Sequence, residues 1–144
     1  MRISGSTFCR TLQLWGVVAL VSCRVGDVFV PTPENMVGAY TATQLVTADP
    51  SSVVNWLEVG GSLTLTLTAD GKTSGHLFLP GGAQDGGDVD ADMAGTWLLI
   101  GHTVQLGQAA ETFVREMDFN ADMNRLAGDK YFGTTLRVII TLTK

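Results

Sequence analysis

From Ser62 to Thr68 the chain alternates with period two: Leu63, Leu65 and Leu67 are separated by Ser and Thr, so one face of an extended segment is apolar and the other hydroxylated. Ala69-Asp70-Gly71 then fits a three-residue hairpin loop with glycine in the left-handed position. That loop sets Leu67 opposite Thr73, Leu65 opposite Gly75 and Leu63 opposite Leu77. A two-residue Asp-Gly turn would instead put Leu65 beside His76, a poorer match. The next hairpin reads the same way. With Gly101-His102 as a two-residue turn, Leu99 faces Val104 and Trp97 faces Leu106, and four apolar side chains share one surface. Farther on, Glu111 to Asn120 places Phe113, Arg115, Met117 and Phe119 on one face and Val114, Glu116 and Asp118 on the other. Thr134 to Thr143 aligns Leu136, Val138, Ile140 and Leu142.

Strands are thereby predicted near 36–47, 62–68, 72–79, 94–100, 103–107, 112–120, 125–128 and 134–143. Eight sequential antiparallel strands most simply close into an up-and-down barrel, which leaves no exposed edge; a two-sheet sandwich is the alternative. One short helix is predicted after the first strand. Asp49-Pro50 supplies a cap and an N1 proline, residues 51–59 put Val53, Trp56 and Leu57 on one side, and Gly60-Gly61 stops the helix. A weak internal echo, Met36-Val37-Gly38-Ala39-Tyr40 against Met93-Ala94-Gly95-Thr96-Trp97, suggests duplicated hairpins.

The first residues follow a different pattern. A short basic segment with Arg2 and Arg10 precedes a mostly apolar run from Leu12 to Leu20, the layout of a secretory signal and too short to span a bilayer. Leu20-Val21-Ser22-Cys23 resembles the bacterial lipobox. That resemblance implies a signal peptide over 1–22 and a diacylglycerol thioether on Cys23. It also implies acylation of the new amino terminus, and several chains anchor stably where one holds only marginally. An ordinary signal peptide with a chance cysteine, or a structural pair of Cys9 and Cys23, is the competing reading. Arg24 rather than Asp after the cysteine implies outer-membrane sorting over inner-membrane retention. Residues 23–34, with Pro31 and Pro33, read as a tether, and 35–144 as the folded domain.

Composition narrows the function classes. The chain is 45% apolar and 16% charged with 17 glycines, which fits a turn-rich β protein and excludes charge-rich disorder. Its formal charge is -5, and losing Arg2 and Arg10 with the leader leaves 7 Lys+Arg against 14 Asp+Glu, or -7. Such a balance speaks against nucleic acid as a partner and against electrostatic adhesion to anionic lipid, so membrane contact is expected through the N-terminal lipid.

Candidate chemistry is sparse. His76 and His102 have no ligand-spaced partner, no Gly-x-Ser-x-Gly elbow occurs, and neither a catalytic residue, a resident metal nor a cofactor is expected. The chain reads as a non-enzyme. Asp85, Asp88, Asp90 and Asp92 lie in a glycine-rich segment, where weak Ca²⁺ binding competes with a plain solvated acidic loop; Met93 stands where an EF-hand loop needs glycine. Arg115 falls on the inward face and therefore needs a partner, either stacking on Trp97 or Tyr40 or acting as counter-charge to an acidic ligand such as a fatty acid.

Gly38-Ala39-Tyr40 resembles the Gly-x-Trp that opens a lipocalin barrel, and Gly95-Thr96-Trp97 repeats the form. With the run Gly60-Gly61-Ser62-Leu63-Thr64-Leu65 and the Asp-Gly hairpin, the chain from about residue 36 onward looks like the small lipocalin-like domains of bacterial envelope lipoproteins. The resemblance implies an envelope protein that binds or carries a small apolar or amphipathic ligand. Its lining would be Tyr40, Leu65, Trp97, Leu99, Phe113, Arg115, Met117 and Phe119. A barrel filled by its own side chains, acting structurally or meeting a protein partner, is the alternative.

Overall fold

A computed structural model describes residues 28–144, so the leader predicted over 1–22 and Cys23 lie outside the described residues. A one-turn helix, α1 (Pro33–Met36), precedes ten strands: β1 (Gly38–Ala48), β2 (Val53–Asn55), β3 (Ser62–Leu67), β4 (Lys72–Leu79), β5 (Val89–Asp92), β6 (Gly95–Ile100), β7 (Thr103–Gln108), β8 (Asp118–Asp122), β9 (Arg125–Phe132) and β10 (Leu136–Thr143). Eight of them form a ring in the order β1-β3-β4-β6-β7-β8-β9-β10, and β10 returns to pair with β1. Every pairing is antiparallel. This closure rules out the open two-sheet sandwich. The two remaining strands lengthen the ring: β2 pairs with the end of β1 beyond β3, and β5 pairs with the end of β4 beyond β6.

Both hairpins adopt the register that their side-chain patterns predict. Leu67 faces Thr73, Leu65 faces Gly75 and Leu63 faces Leu77, while Leu99 faces Val104 and Trp97 faces Leu106. The Thr68 N–H reaches the Lys72 carbonyl at 3.0 Å around Ala69-Asp70-Gly71, with Gly71 at φ 77° in the left-handed region. Alternation then puts Leu63, Leu65, Leu67, Leu77, Leu79, Val138, Ile140 and Leu142 inside, each no more than 2% exposed.

The structure corrects three local expectations. The helix lies before β1, not after it. Thr32 caps α1 with Asn35 at N3 in a reciprocal capping box, whereas 51–59 holds β2 and a series of turns. The Asp49 carboxylate accepts from the Ser51 and Ser52 N–H groups at 2.7 and 2.8 Å, as a helix cap would, but the chain folds back onto β1 and the Trp56 N–H donates to the Leu45 carbonyl at 2.8 Å. Pairing with an adjacent strand satisfies more backbone than two isolated helical turns. Second, 112–120 is not one strand. Phe113–Glu116 is a 3-10 turn, and β8 starts at Asp118. A repeat of three residues brings Val114 and Met117 inward together and leaves Arg115 outside. Third, β9 runs on to Phe132, and β5 forms within the segment expected to be loop.

Candidate functional site

The barrel interior is the place where the sequence predicts a ligand lining. Tyr40, Leu65, Trp97, Met117 and Phe119 lie in the buried core, and Leu99 and Phe113 pack against it. Arg115 does not join them. Its side chain is 39% exposed, and its guanidinium stands 4.0 Å from Glu111, one helical step back along the chain. The predicted stacking on Trp97 or Tyr40 is absent; among the described residues the arginines and lysines that lie over rings are Lys130 on Phe132, Arg137 on Tyr131 and Lys144 on Tyr40.

Beside Met117 and Phe119 the packing is close. Gly128 on β9 is buried where a methyl group would meet Met117 Cε at 2.8 Å and the Phe119 ring at 3.1 Å, so two large side chains fill the space that a side chain at 128 would take. A pocket of about 90 Å³ is lined by Pro33, Glu34, Val37 and Ala69 beside α1, and none of these belongs to the predicted lining.

The two Gly-x-aromatic motifs play matching structural parts at one end of the barrel. The Tyr40 hydroxyl donates to the Met36 carbonyl at 2.7 Å and holds the end of α1, and the Trp97 indole N–H donates to the Thr68 carbonyl at 2.9 Å and holds the β3–β4 turn. Burial of the phenol pushes the Tyr40 pKa up to about 12. Lys144 lies across the Tyr40 ring at 5.3 Å and donates to the Asn35 carbonyl at 2.6 Å; burial holds its pKa below the ordinary lysine value.

A buried polar group went unnoticed in the sequence. Thr73 and Gln108, 5% and 4% exposed, both donate to the Met93 carbonyl, at 2.7 and 3.4 Å, where the chain bends between β5 and β6. The Gln108 side-chain oxygen Oε1 has no partner among the described residues. The available signal was positional: Gln108 continues the inward series Val104, Leu106 at period two.

The acidic segment spreads its carboxylates over separate tasks. Asp85 accepts from the Gly87 N–H, Asp88 from Gly81 and Asp92 from Ala94, at 3.1, 2.8 and 3.2 Å, while Asp90 lies 3.3 Å from the exposed His76 imidazole. Among the described residues no three His, Cys, Asp or Glu side chains are grouped to hold a metal ion. His102 sits in the β6–β7 turn, where its carbonyl accepts from the Ala121 N–H at 2.7 Å. In comparison with known proteins, no family model and no curated protein matches this chain.

Proposed function

We propose that this chain is a non-enzymatic envelope lipoprotein, held to a membrane by lipid on Cys23, whose lipocalin-like barrel is a solid scaffold for contact with a protein partner and not a carrier. The observation that supports the scaffold is the occupied interior. Met117 and Phe119 press against Gly128, and the inward leucines of β3 and β4 are fully buried. Sites for small molecules usually need roughly 300 Å³ or more. The pocket beside α1 offers about 90 Å³, and none of the residues of the predicted lining borders it. Cys23 and its lipid come from the lipobox resemblance, and Arg24 directs the protein to the outer membrane.

Native mass spectrometry of the Cys23→Ala chain, purified from its host or a near relative, tests the scaffold. The expected result is a clean apo mass under gentle conditions. A reproducible small-molecule adduct would establish the carrier, with the five core residues of the predicted lining and the adjoining Leu99 and Phe113 as its site. Fractionation tests the anchor: Cys23→Ala is released to the soluble fraction, and unchanged membrane retention of that variant would overturn the lipoprotein reading.

A further inference from the structure

Five exposed apolar side chains gather at the end of the barrel where the described chain begins. Val28, Val30, Leu98, Ile100 and Met123 are 79%, 63%, 60%, 54% and 59% exposed. Hydrogen bonds tie their segments together. The Val30 carbonyl accepts from the Asn35 side chain at 3.3 Å, the Asn35 carbonyl accepts from Lys144, and the Lys144 N–H donates to the Asn124 carbonyl at 3.0 Å. The Ala121 N–H, at the other arm of that β8–β9 turn, donates to His102 between β6 and β7. Leu98 and Ile100 stand clear because β4 pairs with β6 only at Lys72–Thr96 and Thr73–Gly95, so the tip of the β6–β7 hairpin projects past the β3–β4 turn.

Charge divides along the same line. At this end Glu34, Asp70 and Asp122 are balanced by Lys72, Arg125 and Lys144, and two of the pairs are in contact, Lys72 with Asp70 at 3.4 Å and Arg125 with Asp122 at 3.7 Å. The other described residues carry 10 Asp or Glu against 3 Lys or Arg, a net -7. No Asp, Glu, Lys or Arg interrupts Met93 to Ala110, the stretch that contains the projecting hairpin. An acidic body is repelled by an anionic bilayer, whereas its neutral end, which holds five of the eight exposed large apolar side chains of the described residues, is not.

We infer that this end of the barrel is a lipid-contact surface, which seats the domain on the headgroup layer of the membrane that carries its anchor. This seating presupposes the acylated Cys23 proposed above. Cys23 precedes Val28 by five residues, which span at most about 18 Å when fully extended. The anchor therefore keeps this end within reach of the bilayer surface. The contact is interfacial. Leu98–Ile100 have β7 on one side and no strand on the other, and backbone groups left without partners are costly in hydrocarbon but not among hydrated headgroups.

The test uses the mature acylated protein reconstituted in phosphatidylethanolamine–phosphatidylglycerol vesicles, with an environment-sensitive dye on His102→Cys or, as the far-side control, on Asp85→Cys. A blue-shifted dye at 102, quenched several-fold more strongly by brominated lipid than the dye at 85, supports the seating. Adding Leu98→Ser and Ile100→Ser should then make the two positions alike while the protein stays on the vesicles. Water-like emission at both positions with the protein still bound overturns the seating and leaves the anchor standing. A dye at 102 that is dry, unquenched by brominated lipid and readily cross-linked to its counterpart assigns the surface to a second copy and also overturns it. A mature chain with no acyl mass on Cys23 overturns the lipoprotein reading, and the seating with it.

Discussion

The Tyr40 hydroxyl donates to the Met36 carbonyl at 2.7 Å, so the first barrel strand holds the helix that precedes it. Removing the hydroxyl in Tyr40→Phe leaves a buried carbonyl without a partner and should cost about 1–2 kcal/mol in urea unfolding. The pKa has a second consequence. Burial raises it in the folded state from 10.0 to about 12, so this contribution to stability is complete below pH 10 and is lost as pH rises toward 12. Lys144, whose pKa is lowered by burial, acts in the opposite sense and regains stability as it loses its proton. A phenolate titration of Tyr131→Phe, which leaves Tyr40 as the only tyrosine, should show a midpoint near 12.

Gly128→Ala probes the filled interior. Its methyl group would sit 2.8 Å from Met117 Cε and 3.1 Å from the Phe119 ring. Overpacking of this kind costs about 1–3 kcal/mol, measured as a lower urea midpoint with an unchanged slope. A hollow barrel would accept the methyl group without loss.

Gly75→Ala should be more severe. Gly75 combines φ 139° with a Cβ position only 2.1 Å from the Thr64 carbonyl oxygen on the paired strand, and backbone cannot yield as a side-chain tip does. A loss above about 3 kcal/mol, or failure to accumulate folded protein, is expected by circular dichroism.

Arg115→Ala should change stability by less than about 0.5 kcal/mol, the usual scale for an exposed pair such as that with Glu111. A buried, stacked arginine would cost several times more on truncation. Thermal unfolding of this variant alone separates the two placements.

Asp49 titrates low, at about 2, because the Ser51 side chain and backbone and then those of Ser52 hydrogen-bond its carboxylate. Its contribution to the β1–β2 turn is present above the ordinary pKa of 3.8 and is lost as pH falls through about 2. Amide exchange at Ser51 and Ser52 should show the turn protected at pH 4 and opened in Asp49→Ala at the same pH.

The hairpins were legible from the sequence because the two signals that specify them are both local. Period-two burial sets which face turns inward, and the turn residues set register, so Leu65 opposite Gly75 and Trp97 opposite Leu106 follow from a dozen residues of chain. The segment around Arg115 misled for the same reason. Phe113, Met117 and Phe119 imitate alternation, but a 3-10 turn changes the period after Phe113, and only packing against the core favours that turn. The helix was misplaced because Asp49-Pro50 carries cap chemistry that serves a tight turn equally well. Of the predicted lining, the apolar members were recognisable as inward, whereas the space left between them is a property of opposing strands.

The amino-acid sequence alone determined an all-β chain of eight barrel strands, its hairpin registers, its acidic balance and the lipobox resemblance at Cys23, all of which depend on neighbours close along the chain. The tertiary structure decided the rest. It closed β10 onto β1, packed Met117 and Phe119 against Gly128, and placed Arg115 outside. It also separated a neutral apolar end from a body of net -7. Each of these depends on side chains brought together from distant strands, and chain order does not encode that distance.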